Sequence, residues 1–507
     1  MATVSSNNLR ALWPGFELPD ALARDILRDN PWWEGRPGRV LPPNRRRFVD
    51  EIHRSMQRKL APITVVRGPR QVGKTTAQLH VIDDLLAQGV PRTHILRVQF
   101  DEIAGLGKLE DPILRIVDWY EHVVLQQSLN EVAHAKGSTY LFFDEVQNLR
   151  DWAPQLKHLV DHATTNVVVT GSSALRIEVG RDSLAGRIGT IEVGTLSLAE
   201  IAAIRFGGML PVMLPLNGHD RIGEESTWRD LVRLGMDNRD LRDRSFAAFA
   251  ERGGYPLVHE RPDRPWDEVA RQLNENVIKR VIRHDLRVGD RGRRRDPALL
   301  EELFRLACRY AGQTPSVTLF AQELQRALKA NVGPQKIRKY LDFLDLTLLL
   351  RLVPPLELRL KRTRGAPKLC LADHGLRASW LQEAIALTPE QLSLHPEDSD
   401  LAGRIAESVV GTFLVTALGG DQVRHFPERG AEPEVDFVLI SGSIRIPVEV
   451  KYRRRIHPLD DTAGLRSFIE KSVYRAPFGV LVTQNDEPAV KDPRIVELPL
   501  STLLMLR

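Results

Sequence analysis

The run Gly68-Pro69-Arg70-Gln71-Val72-Gly73-Lys74-Thr75 sets a glycine at each end of a short loop and follows it with a lysine and a hydroxyl. That spacing suits a phosphate chain. Glycines let the backbone wrap the anion, N–H groups at a helix start point at it, and a lysine reaches the β- and γ-phosphates. Thr75 is placed to ligate Mg²⁺, and Thr76 continues the same helix start. Further along, Asp144-Glu145 closes an apolar run. Asp144 can hold Mg²⁺ directly or through water, and Glu145 can polarise the water that attacks a γ-phosphate. These residues predict a site that binds and hydrolyses a nucleoside triphosphate, with ATP and Mg²⁺ as its ligands.

Two further positions could complete that chemistry. Thr170-Gly171-Ser172-Ser173 ends another apolar run. A hydroxyl there could contact the γ-phosphate or the attacking water; Ser172 is the first choice, with Thr170 and Ser173 left open. Arg187 could neutralise transition-state charge in its own site or a neighbour's, or simply pair with an acid.

A second set of reactive groups lies near the other end. Asp436 stands on one apolar run, Glu449 and Lys451 two residues apart on the next, and Glu407 on a preceding amphipathic stretch. Two carboxylates can hold Mg²⁺ or Mn²⁺, the metal acidifies a bound water, and the lysine orients it. Glu407 can complete the metal shell. Period-two alternation puts Glu449 and Lys451 on one strand face, and a hairpin brings Asp436 alongside. The other reading is an exposed ion pair on an edge strand.

Elements must hold these groups in place. Strands at 63–66, 95–100, 140–144 and 166–170 alternate with helices at 76–87, 112–130 and 152–163, which predicts an α/β domain with a parallel sheet. Toward the middle, a helix at 319–330 and a second opening at Pro334 precede strands at 348–353 and 367–371. The second helix turns Ile337, Tyr340, Leu341 and Leu344 inward and leaves Gln335, Lys336, Arg338 and Lys339 outward. With the basic segment 359–364, which carries Lys361, Arg362 and Arg364, this is the plan of a winged helix-turn-helix that touches DNA, mainly its backbone. A helical spacer or protein-contact module is the other reading. At the end, a helix at 405–418 precedes strands at 434–440 and 446–451.

The chain resembles the bacterial and archaeal AAA-type P-loop ATPases of the AAA_14/DUF4143 family. The resemblance runs through Asn30-Pro31-Trp32-Trp33, the phosphate loop, Asp144-Glu145, the turn at Thr170 to Ser173 and Leu184-Ala185-Gly186-Arg187. It continues through Gly253-Gly254-Tyr255-Pro256 and His284-Asp285-Leu286. Asp436 with Glu449-x-Lys451 resembles the PD-(D/E)xK nuclease superfamily, to which the DUF4143 resemblance also points; the Gln-x-x-x-Tyr helix of its RecB-like branch is missing after Lys451. The family implies a helical lid on the ATPase core, assembly into a ring, often a hexamer, and a restriction-endonuclease-like α/β fold at the end.

The expected domains are an N-terminal arm (1–45), a P-loop ATPase core (46–195), a helical lid (196–300), a winged helix-turn-helix (301–375) and a nuclease-like domain (376–507). Residues 207–243, mixed in Gly, Pro and charge, read as a local insertion. At 507 residues with two cysteines, the chain is long enough for several cores and lacks a disulfide or cysteine-zinc framework. Net charge is +5, and basic clusters at Arg45-Arg46-Arg47, 291–295 and 361–364 favour a polyanionic partner such as DNA. No apolar run approaches the roughly 18–20 residues of a membrane helix, the nearest being Leu346 to Val353. A cytoplasmic location is expected. The function expected is ATP-driven processing of DNA, with branched DNA such as a four-way junction as a target and metal-dependent cutting at the second site. The alternative is a regulatory switch of the STAND type with a non-catalytic C-terminal domain.

Overall fold

The computed structural model describes residues 18–101, 109–171, 182–214, 221–283, 296–329, 332–357, 365–428, 430 and 432–507. Ser172, Ser173, Lys361, Arg362 and Arg364 lie outside the described residues, as do 291–295 and His284-Asp285-Leu286. Contacts divide the chain into two compact units, Met1–Gly68 with Gly73–Val193, and Gly194–Arg507 with Pro69–Val72.

The first unit is built on five parallel strands: β1 (Ile63–Arg67), β2 (Ile95–Gln99), β3 (Tyr140–Asp144), β4 (Asn166–Gly171) and β5 (Ile188–Glu192). Their order is β2-β3-β4-β1-β5. Register is set by pairs such as Ile63 with Val167 and Ile188, and Ile95 with Tyr140. The inner strands are near-continuous Val, Ile, Leu and Phe because helices cover both faces of a parallel sheet. Ile63, Val65, Val98, Leu141, Phe143 and Val169 are all buried in its core. Parallel pairing brings the ends of β1, β3 and β4 to one edge, where Gly68, Glu145 and Gly171 stand.

Two features of this unit differ from expectation or go beyond it. The helix expected at 112–130 is α-helical only over Pro112–Tyr120, passes through a π turn at Glu121–Leu125 and stops at Gln126, whose φ is +56°. A new helix, Leu129–His134, starts there because Ser128 and Glu131 form a capping box. The second feature is a clamp on β2, the strand at one end of the sheet. Asn30 Nδ2 donates to Arg97 O at 2.8 Å and its Oδ1 accepts from Arg97 N at 2.7 Å. Trp32 and Trp33 both donate to Ile95 O, at 3.2 and 2.8 Å. One amide side chain thus satisfies an edge residue as a neighbouring strand would.

The second unit holds helices followed by a hairpin and a mixed sheet. Helices Pro297–Arg309, Val317–Leu328 and Pro334–Leu346 precede the antiparallel pair β6 (Leu350–Val353) and β7 (Lys368–Leu371). The sheet contains β8 (Val423–Phe426), β9 (Val435–Ser441), β10 (Ile444–Lys451), β11 (Gly479–Thr483) and β12 (Ile495–Pro499), in the order β12-β11-β10-β9-β8. The pairs β8–β9 and β9–β10 are antiparallel, and β10–β11 and β11–β12 are parallel. The helix Ser399–Leu418 packs on this sheet through Val410 and Leu414. Gly411 permits the approach, since a Cβ there would meet Cys370 Sγ at 2.4 Å and the Phe437 ring at 2.7 Å.

The described parts of the stretch read as an insertion, 207–214 and 221–243, are woven into the same core. Trp228 and Leu231 are fully buried there with Leu498 and Leu503. Arg242, also buried, holds Asp486 with two hydrogen bonds of 2.8 and 2.7 Å. Among the described residues one helix, Pro396–Leu418, is long and apolar enough to cross a membrane by length and composition, with 61% of that window buried in the fold. Arg404 and Glu407 lie within it.

Asn30→Ala should lower the stability of the first unit by about 2–3 kcal/mol, because both backbone groups of Arg97 lose a buried partner. Urea denaturation followed by tryptophan fluorescence reads this, and an unchanged midpoint would show that the clamp is dispensable.

Candidate functional site

At the edge where β1, β3 and β4 end, the loop after β1 runs straight into the helix Lys74–Ala87. Gly73 has φ +90°, a conformation L side chains rarely take, and Gly68 lies so close to Val193 that a Cβ would meet its carbonyl oxygen at 2.6 Å. Gln71, at the crest between Pro69, Arg70 and Val72, also has positive φ, at +62°. The loop's shape is therefore held by glycine at both ends. Lys74 is buried, and its Nζ donates to Gly68 O at 3.0 Å, so the ammonium already points into the loop.

Asp144, fully buried, is the hub of this site. Its Oδ2 accepts from Thr75 Oγ1 at 2.7 Å and lies 3.4 Å from the Arg97 guanidinium, while its Oδ1 accepts from Thr170 Oγ1. Gln78 donates to Thr170 Oγ1 at 3.2 Å from the helix side. Thr75 and Asp144 present adjacent hard oxygens of the kind Mg²⁺ takes, so the donor set fits that ion. Next to the hub, Glu145 sits at φ +52°, a strained position for a non-glycine residue, and its carboxylate accepts from Gln147. A cavity of about 770 Å³ opens beside Thr75, with Arg28, Arg36, Arg39, Arg92 and Arg97 as well as Asp29 and Asp83 among its lining residues.

The sequence-expected residues separate clearly here. Lys74, Thr75, Asp144 and Glu145 converge. Thr170, left open beside Ser172 in the sequence, donates to Asp144, and Ser172 itself lies outside the described residues. Arg187 does not point at this hub within its own chain: it pairs with Asp161 through Nε and Nη2, the second contact being 3.0 Å. Arg97 was missed. Its signal was a lone charge within the buried strand Ile95–Gln99, where it breaks an apolar run.

The C-terminal residues also come together, with a fifth group among them. Val448 pairs with Phe437 across β9 and β10, which brings Asp436 beside Glu449 and Lys451. Lys451 Nζ donates to Glu449 Oε1 at 2.6 Å. Glu407 reaches in from the helix Ser399–Leu418. At the centre is Lys368, from β7, whose Nζ donates to Glu407 and, at 2.8 Å, to Asp436 Oδ1. Glu434 Oε1 is 3.3 Å away. Asp436 Oδ2 accepts from Val450 N at 2.9 Å, so both its oxygens are engaged.

Burial and then the Asp436 charge raise the Glu407 carboxyl well above its usual range, while Lys368 beside it pulls the other way. Burial opposes ionisation of Asp436 too, but Lys368 beside it outweighs that and holds it below the usual range. Burial, reinforced by Asp436, pushes Glu449 up to about 8. Burial works against the Lys368 charge, but Asp436, Glu407 and Glu434 outweigh it and raise its pKa well above that of an ordinary lysine.

The metal expectation for Glu407, Asp436 and Glu449 finds no support in this arrangement. Among the described residues no group of three or more His, Cys, Asp or Glu side chains is arranged to hold a metal ion. The reason is physical: an ammonium stands between the carboxylates. Its sequence signal was weak, a single lysine opening a short apolar strand after a basic segment.

On the helix Pro334–Leu346, Gln335, Lys336, Arg338 and Lys339 are all exposed while Ile337, Tyr340, Leu341 and Leu344 are buried. Lys336 Nζ lies 5.7 Å from the Tyr340 ring centre. The outward face is thus basic, as its period implies.

Three family models match the chain: an AAA domain over residues 60–202, a domain of unknown function (DUF8612) over 243–385, and a domain of unknown function (DUF4143) over 402–503. Uncharacterized proteins of Mycobacterium tuberculosis and Mycobacterium bovis are each 24% identical over 342 residues, 66% of this chain. The match spans 58% of those relatives' length. An uncharacterized protein of Haemophilus influenzae is 22% identical over 320 residues, 62% of this chain and 68% of that one. Among solved structures, a DNA polymerase III gamma subunit-related protein of Thermotoga maritima aligns at a TM-score of 0.24 and 11% identity, over 59% of this chain and 91% of that one. The closed state of Hsp104 aligns at 0.28 and 15%, over 62% of this chain and 54% of that one.

The raised Glu449 pKa makes a prediction with a definite sign. A carboxyl whose folded pKa exceeds its unfolded value of about 4.3 favours the fold below that pH, and this contribution fades as pH rises through the folded value. Thermal stability should therefore carry a component that falls from mildly acid pH up to about 8. Glu449→Gln should remove it. Melting curves of both proteins between acid and mildly alkaline pH test this, and parallel profiles would contradict it.

Proposed function

We propose, from the premise that the chain belongs to the AAA-type ATPases with a C-terminal DUF4143 region, that it hydrolyses ATP and couples the turnover to DNA. The observation that carries the hydrolysis is the hydrogen bond of 2.7 Å between Thr75 and Asp144, with Lys74 on one side and Glu145 on the other. Lys74 and the loop N–H groups from Gly68 to Thr76 bind the β- and γ-phosphates. Thr75 and Asp144 would hold Mg²⁺, which when bound neutralises charge on the phosphate oxygens. Glu145 orients the attacking water and takes its proton as the new oxygen–phosphorus bond forms. The bond from the bridging oxygen to the γ-phosphorus breaks, and ADP leaves. Thr170 and Arg97 keep Asp144 in place.

Arg187, half-buried and turned to Asp161 in its own chain, is suited to a neighbouring copy's site. A homo-oligomeric ring, a hexamer being the family expectation, would supply that neighbour. Helices Val317–Leu328 and Pro334–Leu346 with the β6–β7 hairpin are read as a winged helix, and Gln335, Lys336, Arg338 and Lys339 as its DNA face. Lysine and arginine on that face favour backbone contact over base readout. Branched DNA, including four-way junctions, is the substrate form to test beside duplex and single strands.

Asp436, Glu449, Glu407 and Lys451 are read as a fold related to PD-(D/E)xK nucleases. The donor set does not fit Mg²⁺ or Mn²⁺ while Lys368 sits in it, and no cutting step is derived. That observation favours a second reading, in which ATP occupancy toggles an assembly and the C-terminal domain is non-catalytic.

Two measurements test these readings. Glu145→Gln should retain ATP binding and lose about 100-fold or more in turnover, as expected for removal of a group that handles the water's proton. Wild-type turnover should rise with one of single-stranded, duplex or four-way-junction DNA. Flat turnover with every DNA would support the regulatory switch instead. For the DNA face, Lys336→Glu with Arg338→Glu should weaken binding to all sequences alike. It should also reduce the slope of log affinity against log salt by about 0.9 for each phosphate no longer neutralised. An unchanged slope would remove this helix from the interface.

A further inference from the structure

We infer that Lys368 is the resident cation of the C-terminal carboxylate cluster, its ammonium occupying the place of a divalent metal and closing the cluster to Mg²⁺ and Mn²⁺.

Several independent observations support this. The Lys368 side chain is only 2% exposed, in a setting where an unpaired charge costs several kcal/mol. Such a charge persists only where carboxylates surround it, and Glu407, Asp436 and Glu434 do so from a helix and from β9 and the turn before it. Its ammonium also lies 5.3 Å from the Phe437 ring centre, on the face a cation favours.

The cluster's remaining capacity is small. Val450 N–H takes the second oxygen of Asp436, and Lys451 takes Glu449 Oε1. Glu449 Oε2 is buried without a hydrogen-bond partner, one oxygen where a divalent ion takes six or more. An entering ion would therefore have to displace an ammonium hydrogen-bonded to Glu407 and Asp436. Lys368 belongs to a four-residue strand that is buried throughout and paired in register, Lys368 with Val353. Gly411 lets the helix bearing Glu407 sit against Cys370 and Phe437, which fixes the distance that the lysine spans.

The position is chemically specific. Ammonium and a divalent ion both satisfy carboxylates, but only the ion acidifies a bound water. With Lys368 in place the cluster ties β7, the helix Ser399–Leu418 and the β9–β10 hairpin together and has no hydrolytic power of its own. Removing the ammonium should convert it to a metal site, since the oxygen ligands remain.

The test is Mn²⁺ binding to the full-length, nucleotide-free chain, read by electron paramagnetic resonance. Glu449→Gln serves as the first comparison, because it removes a candidate ligand and leaves the Lys368 ion pairs intact. Wild type and Glu449→Gln should bind the same amount of Mn²⁺. Lys368→Met, which keeps the length and removes the charge, should bind Mn²⁺ about tenfold more tightly or better and melt at a higher temperature with it than without. Lys368→Arg should behave as wild type. Should Lys368→Met not fold, the comparison of wild type with Glu449→Gln still decides. Extra Mn²⁺ in the wild type, lost in Glu449→Gln, overturns the inference, and so does a folded Lys368→Met that gains none.

Discussion

A carboxylate taken out of water must be answered, and the two halves of this chain answer theirs differently. Asp144 is met by the hydroxyls of Thr75 and Thr170, with the Arg97 guanidinium farther off at 3.4 Å. Hydroxyl hydrogen bonds are weak enough to yield to a divalent ion that offers more charge. Asp436 is met by a full ammonium and a backbone N–H, both on buried strands. The same chemical group thus becomes part of a nucleotide site in one unit and of a structural knot in the other. The chemistry open to each site depends on that difference.

Much around the first site was legible because its signals are local. A glycine-bounded loop between a strand and a helix carries its own geometry, and Gly73 at φ +90° does what that spacing implies. Parallel strands with apolar centres ended within a residue or two of where the hydrophobic pattern placed them. The break after Leu125 was not visible in the pattern, because apolar spacing continues through it and only the capping pair Ser128 and Glu131 marks the restart.

The roles that the sequence did not show share a cause: they come from partners far away in the chain. Asn30 matters because Arg97 stands on an edge strand, Arg242 because Asp486 and Thr502 lie against it, and Lys368 because three acids converge on it. Spacing can show that Asp436, Glu449 and Lys451 share a neighbourhood. It cannot show that a lysine from β7 reaches it first. The nuclease-like pattern thus shows in the sequence as a group of neighbours, while the charge that answers Asp436 lies outside the motif.

The most direct test of this contrast is a crystal of the full chain with Mn²⁺ and a non-hydrolysable ATP analogue, probed by anomalous scattering at the manganese edge. A manganese peak between Thr75 and Asp144, with none among Glu407, Asp436 and Glu449, is the predicted result. A peak at Asp436 with Lys368 turned away, or none beside Thr75, would contradict it.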